Sequence, residues 1–300
     1  MPAISAHQKA AILIEALPYF RRFFGKTMVI KYGGAAMVQE ELKKSFATDV
    51  ILLQTVGINP VVVHGGGPQI GQVMKQLGME PRFVEGLRVT DDETMNVVEM
   101  VLVGQVNKAI VSTINAYGGN AVGLSGKDGR LIQARKLALE KPTEEPGPPE
   151  IIDLGRVGEV EAINPEVLQA LEGSRFIPIV APVGGGEHGE AFNINADHVA
   201  SALAVALGAE RFILLSDVEG ILGRDGTLLS TLTRAESEQL INDGVIAEGM
   251  VPKVKACFDA LEGGVPKTHI IDGRTPHSLV LELFTDAGIG TEILDKPPQP

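Results

Sequence analysis

The sequence predicts an α/β protein whose mainly parallel sheet is covered by helices on both faces. Strand-length apolar runs alternate with longer helical patterns almost from end to end. Several of these runs are apolar at consecutive positions, as in strands buried on both faces. The strand-like runs also tend to stop at glycine, at Gly33–Gly34, Gly65–Gly66–Gly67 and Gly184–Gly185–Gly186.

Each element follows from local pattern. Over residues 5–24, Ile12, Leu13, Ala16, Leu17, Phe20 and Phe24 fall on one helical face. Pro18 is expected to kink or divide that helix. Residues 27–32 read as a buried strand, 39–56 as an amphipathic helix, 60–64 as a second buried strand and 68–78 as a helix. A long helical region spans 91–117, with Asp91 as its N-cap. Short strands are expected at 121–125 and 131–134, and a Pro- and Glu-rich loop at 140–150. Residues 155–163 alternate like an exposed strand, and 176–183 read as a buried one ahead of a Gly-rich loop at 184–189. An Ala-rich buried helix covers 195–207 and a strand 211–216, and the GRDG run at 223–226 makes a hairpin turn. Helices at 234–243 and 250–261, a strand at 268–271 and a helix at 277–285 complete the chain.

Composition narrows the function classes. A chain of 300 residues makes one large domain or two modest ones. With 44% hydrophobic and 21% charged residues, wholesale disorder is excluded. The net charge of −12 disfavours a nucleic-acid partner, and the only dense basic pairs, Arg21–Arg22 and Lys43–Lys44, sit inside helical patterns. The single cysteine, Cys257, permits neither an internal disulfide nor a cysteine zinc site and suits a reduced, cytoplasmic protein. No apolar run reaches the ~18 residues a membrane span needs, so no membrane partner is expected. Residues 10–17 mimic a signal peptide, but Glu15 interrupts them.

Glycine at a strand end lets backbone N–H groups approach a ligand, and a Gly turn feeding a helix is a ready anion site. Three such turns point to a phosphate or carboxylate site. The P-loop pattern is absent: Gly126–Lys127 is followed by Asp128. The dinucleotide fingerprint begins at Gly65 and Gly67 but meets Ile70 where its third glycine belongs, with Gly71 one position late. Lys31 ends a buried strand directly before Gly33–Gly34 and needs a partner: it reads as a cation aimed at phosphate, or as a snorkelling side chain or structural salt bridge. Asp197, at the start of an Ala-rich helix, reads as an N-cap or as a functional carboxylate. Two lysines, Lys31 and Lys253, with Asp197 and anion-binding loops fit phosphoryl transfer, where positioning and charge stabilisation dominate. His64 at its strand end reads as structural, and Cys257 as a buried inert thiol.

The motifs KYGG (31–34), HGGGPQIG (64–71), EGLRVTD (85–91), FNINAD (192–197), LLSDVEG (214–220) and GMVPKVKA (249–256) stand in this order. Together they resemble the N-acetyl-L-glutamate kinases of the amino acid kinase family, over about residues 5–293. The resemblance implies a three-layer α/β/α sandwich with a mostly parallel central sheet, the carbamate kinase-like fold. It also implies a helical extension at 1–24, an acyl amino acid-binding half at 25–185 and an ATP-binding half at 186–300. The implied reaction is ATP-dependent phosphorylation of the γ-carboxylate of N-acetyl-L-glutamate, the second step of arginine biosynthesis. Uridylate kinase, another member of the family, and a non-catalytic arginine sensor are the competing readings.

Residue roles carry over by position. Lys31 and Lys253 would stabilise the transferring phosphoryl group, and Asp197 would orient them. Gly33, Gly34 and Gly65 would bind phosphate, and Gly66, Gly67, Arg88 and Asn193 the acyl substrate, with Arg88 on its α-carboxylate. Ser216, Asp217, Gly220 and Met250 would help hold ATP. Mg2+ would rest on phosphate oxygens and water, so no protein ligand is named. Phe192 stands where many relatives carry Tyr. The extension before the first strand and the stretch 277–291 resemble the arginine-inhibited members, which are homohexamers built as trimers of dimers. Tyr19, His277, Glu282 and Gly288 are the expected L-arginine site; a plain helix and its C-terminal turn are the competing reading there. Some relatives bind a PII-type signalling protein, which this sequence does not decide.

Overall fold

The computed structural model describes residues 5–141 and 150–297. Its strands β1 (Thr27–Tyr32), β2 (Asn59–His64), β3 (Ala121–Ser125), β4 (Ile177–Ala181), β5 (Arg211–Ser216), β6 (Thr231–Thr233), β7 (Thr268–Asp272) and β8 (Thr291–Leu294) form one eight-stranded sheet. Their order is β6-β8-β7-β5-β1-β2-β4-β3. From β7 to β3 all neighbours are parallel; β8 is antiparallel to β7 and parallel to β6.

The helices are α1 (Ala6–Phe23), α2 (Glu40–Thr55), α3 (Gly67–Gln76), α4 (Asp92–Glu99), α5 (Asn107–Ala116), α6 (Glu166–Gly173), α7 (Ala196–Ala206), α8 (Arg234–Asn242), α9 (Met250–Glu262) and α10 (Ser278–Leu283). They make two cores, one on each face of the sheet. Met28, Ile30 and Tyr32 of β1 join Phe46 and Val50 of α2 and Ile110 of α5. Val29 joins Val61 and Val63 of β2, Val199 and Leu203 of α7, and Val254 and Cys257 of α9. Because strand side chains alternate faces, Lys31 follows Val29 toward α7 and α9. The period of two therefore aims the strand's one cation at the second core.

Four shorter strands, Ile132–Lys136, Val157–Ile163, Val183–Gly185 and Ala191–Ile194, close on one another beside the main sheet. A small hairpin pairs Phe83–Val84 with Leu87–Arg88. Those at 83–88 and 191–194, with β6 and β8, are too short for the period of two to register in sequence.

Three expectations need correction. Pro18 does not divide the first helix, which runs unbroken from Ala6 to Phe23 and opens on a capping box between Ser5 and Gln8. One missing N–H is tolerated where the turns on either side are complete. The region 91–117 is not uniformly α-helical. Asp91 caps it through the N–H of Thr94 at 2.8 Å, but Met100–Val106 is a π-helix. That wider turn brings Leu102 against Gly66, leaving no room there for a Cβ. The segment 140–150 is not all loop: its ends pair as strands Leu139–Lys141 and Glu150–Ile152, while 142–149 lie outside the described residues.

The run Asp92–Ala116 is the only helix among the described residues long and apolar enough to cross a membrane. Here one of its faces packs into the first core through Val98, Val101 and Ile114.

Candidate active site

The site lies at the carboxyl ends of the central parallel strands, where open α/β sheets bind ligands. Tyr32 is in register with His64, and Gly65 N–H donates to the Tyr32 carbonyl at 2.9 Å. The glycine turns after β1 and β2 therefore stand side by side. His64 closes the β2 turn from the first-core face. Its Nδ1–H donates to the Gly65 carbonyl at 2.8 Å, and Nε2 accepts from the Asn107 carboxamide at 3.2 Å. Burial pushes its imidazole down to about 4, so it is neutral at pH 7.

On the opposite face the three expected charges meet. Asp197 Oδ1 lies 3.0 Å from Lys31 Nζ and Oδ2 lies 3.1 Å from Lys253 Nζ. The Lys253 contact is an aligned hydrogen bond, whereas Lys31 faces Oδ1 as an ion pair off the hydrogen-bond direction. Burial alone would raise the Asp197 carboxyl; the two ammonium groups override it and hold it below its ordinary range. Asp197 is not the N-cap of α7. Asn195 takes that place, accepting the Asp197 N–H at 2.8 Å, which frees the aspartate side chain for the lysines. Lys31 is also confined sterically: a Cβ on Gly33 would stand 2.7 Å from its Nζ.

Gly34 has φ +67°, and its position is closed by Asp217, whose Oδ1 accepts the Ala35 N–H at 2.7 Å. The end of β5 is thereby tied across to the turn after β1. Ser216 is buried at the same strand end, its carbonyl accepting Gly273 N–H at 2.9 Å. Gly220 is packed against Thr291 and Leu228, and Met250 opens α9 three positions before Lys253.

A cavity of about 210 Å³ adjoins this cluster, lined by Gly65, Gly66, Gly67, Arg88, Asn193 and Asn195 among others. The four residues expected to bind acyl substrate are thus together, whereas Ser216, Asp217, Gly220 and Met250 do not line it. The N-termini of α3 and α7 both reach the cavity, through Gly66–Gly67 and Asn195–Ala196, and both favour negative charge. Arg88 is buried, with Nη2 donating to the Gly67 carbonyl at 3.0 Å and its guanidinium 4.7 Å from the centre of the Phe83 ring. No carboxylate pairs with it among the described residues, and burial lowers its pKa. A buried cation without a counter-charge, in a cavity facing two helix N-termini, can take a carboxylate.

The expected effector residues divide. Glu282 Oε2 accepts the N–H groups of Ile289 and Gly290 at 2.7 and 3.1 Å, next to Gly288, and Tyr19 donates to Asp286 of the same turn. Phe284 sits 5.3 Å from the ring of Phe20. His277 is elsewhere: it pairs with Asp49 of α2 at 2.6 Å. The histidine beside Glu282 is His269 of β7, at 2.7 Å, which sequence reasoning missed. A histidine inside a fully buried strand, next to Ile270 and Ile271, was the signal that could have found it. Phe83, over Arg88, had no signal, since a lone exposed aromatic is unremarked in a loop.

The amino acid kinase family matches residues 26–272. The chain is 59% identical to the acetylglutamate kinase of Syntrophobacter fumaroxidans, with 96% of each chain covered. It is 60% identical to that of Solidesulfovibrio magneticus, with 97% of each covered. Among solved structures it resembles N-acetylglutamate synthase from Neisseria gonorrhoeae complexed with coenzyme A and N-acetyl-glutamate, with TM-score 0.83 and 28% identity. That match covers 96% of this chain and 64% of the longer synthase. The carbamate kinase of Giardia, at TM-score 0.65 and 18% identity over 91% of this chain and 99% of its own, shares the fold.

Proposed function

The chain belongs to the amino acid kinase family, and on that premise we propose that it phosphorylates the γ-carboxylate of N-acetyl-L-glutamate with ATP, within arginine biosynthesis. The observation that carries the substrate is Arg88, a buried guanidinium paired with no carboxylate among the described residues, lining a small cavity beside Asn193. It takes the α-carboxylate of the substrate; the γ-carboxylate then points toward the lysines.

The chemistry needs no general base, because the attacking carboxylate is already ionised at pH 7. Lys31 and Lys253 lie on either side of Asp197, so their ammonium groups are held in place before the reaction begins. They stabilise charge on the transferring phosphoryl group and on the leaving β-phosphate. Gly33 and Gly34 offer backbone N–H groups to phosphate, and Gly66 and Gly67 to the acyl substrate; the Gly65 N–H is held by the Tyr32 carbonyl, so Gly65 serves phosphate by leaving room for it. Ser216, Asp217 and Met250 border the nucleotide, and Gly220 shapes the loop behind it. Mg2+ on the triphosphate supplies charge neutralisation. Phosphate oxygens and water would hold it in this reading.

Tyr19, Glu282 and Gly288 form an L-arginine site in this reading, with Glu282 facing the guanidinium. Helix α1 leaves Ile12, Leu13 and Ile14 exposed at 52%, 63% and 69%, apolar side chains that joining dimers into a homohexamer would cover. A solved N-acetylglutamate synthase complex contains L-arginine and aligns over 96% of this chain, which supports the effector reading.

The test is ADP release from MgATP with N-acetylglutamate present or absent, in wild type and Arg88→Ala. Release that depends on N-acetylglutamate in wild type, and needs far more of it in Arg88→Ala, is the expected result. Substrate-independent release, or none from folded protein, would overturn the reading.

A further inference from the structure

Arg88 and Asn193 come from distant segments, the hairpin after α3 and the strand before α7, yet must present their polar groups to one ligand in fixed register. The link between them is Thr90. Its side chain is fully buried, and its Oγ stands 2.7 Å from the Arg88 carbonyl and 3.3 Å from Asn193 Nδ2. A hydroxyl has one hydrogen. That hydrogen is donated to the Arg88 carbonyl, so toward Asn193 the oxygen can only accept. The carboxamide is thereby oriented: its nitrogen faces Thr90, and its oxygen and second N–H are left for the cavity.

The backbone of Thr90 is equally constrained. Its N–H donates to the Leu154 carbonyl at 2.9 Å, and its carbonyl accepts the Arg156 N–H at 2.5 Å. Gly155, between them, has φ +73° and leaves no space for a Cβ against the Thr90 carbonyl. The same segment holds Asn193, whose N–H donates to the Arg156 carbonyl at 2.9 Å. Thr90 thus sits where the Arg88 strand, residues 154–156 and the Asn193 strand converge.

We propose that Thr90 is a positioning residue for the acyl substrate, its hydroxyl holding the Arg88 backbone and the Asn193 carboxamide in the one arrangement that reads the substrate carboxylate. The inference rests on the reading that this cavity takes N-acetylglutamate. Thr90 itself lies behind the two groups it holds and does not line the cavity.

Thr90→Val keeps the shape and removes the hydroxyl; Thr90→Ser keeps the hydroxyl and removes the methyl. In steady-state assays of each substrate in turn, Thr90→Val should raise KM for N-acetylglutamate by about tenfold, the scale of one lost hydrogen bond, and leave KM for ATP within about twofold. Thr90→Ser should stay within about threefold of wild type on both. Thr90→Ala in the Asn193→Ala background should raise that KM by a smaller factor than in wild type, because the hydroxyl would have lost one of its two clients. An unchanged KM in Thr90→Val would overturn the proposal. So would equal losses in the Val and Ser variants on both substrates, or full additivity with Asn193→Ala. Wild-type ADP release that ignores N-acetylglutamate would sink the substrate reading instead, and is visible before any variant is made.

Discussion

Lys31 of β1 and Lys253 of α9 reach separate oxygens of the same carboxylate, at 3.0 and 3.1 Å from Asp197 Oδ1 and Oδ2. Two cations that would repel each other are held together by one buried anion. The arrangement carries one net positive charge, which an incoming polyphosphate can exploit without the lysines having to be gathered first.

Lys31→Met and Lys253→Met should each lower kcat by about 10²–10³, the scale for one preorganised charge-stabilising donor. Each leaves Asp197 paired with the other lysine, so thermal midpoints should move by only a few degrees, on the order of 1 kcal/mol. Single-turnover kinetics with calorimetry on the same samples checks both. Asp197→Asn, which frees both lysines from their anchor, should lose activity and stability together.

Gly33→Ala and Gly34→Ala should fail differently. Gly33 has an extended φ of −166°, so alanine is conformationally allowed but its Cβ would displace the Lys31 ammonium. Activity should fall with little loss of stability. Gly34 has φ +67°, where an L-residue costs about 1–2 kcal/mol, and its Cβ would also run into Asp217. Denaturant titration should separate the two variants, with Gly34→Ala the less stable.

The buried His64 predicts an acid-side loss of stability. Its pKa is lowered to about 4, so between pH 6.5 and 4 the unfolded chain binds a proton that the folded chain does not. Stability should fall as pH drops through that window, by about 3 kcal/mol in full. Asp49, raised to about 6 by burial against the opposing pull of His277 and the N–H groups of Leu279 and Val280, acts with the opposite sign: its contribution declines as pH rises from about 4 to 6. Comparing wild type with His64→Gln by urea titration at pH 7 and pH 5 isolates the histidine. A wild-type slope that survives the substitution would falsify this assignment.

Deleting residues 1–24 should keep N-acetylglutamate-dependent activity within about threefold, because α1 contributes nothing to the charged cluster. The same deletion should abolish arginine inhibition and lower the assembly mass in light scattering. Glu282→Gln retains acceptors for the Ile289 and Gly290 N–H groups but not the negative charge. It should weaken arginine inhibition by about tenfold or more, with the mass unchanged.

Much of this fold is legible along the chain. β1 and β5 coincide with their sequence boundaries, and β2 and β7 do so within a residue, because fully buried strands carry unbroken apolar runs that end at glycine or polar residues. The motifs singled out Lys31, Asp197 and Lys253, which meet in one cluster, and Arg88 and Asn193, which line one cavity; charged side chains among apolar neighbours demand partners. His277 shows the limit. It lies five residues before Glu282 and looked like part of one site, yet its position at the start of α10 sends it to Asp49 of α2.

The sequence by itself determined the alternation of strands and helices, the glycine-rich turns at strand ends and the identity of the charged residues. Those depend on local periodicity and residue chemistry, which are written in order. Only the tertiary structure decided which charges pair, that His269 rather than His277 meets Glu282, and that Thr90 links Arg88 to Asn193. Such contacts join residues far apart in the chain. They are set by strand order and by which face each side chain takes, and neither leaves a periodic trace in the sequence.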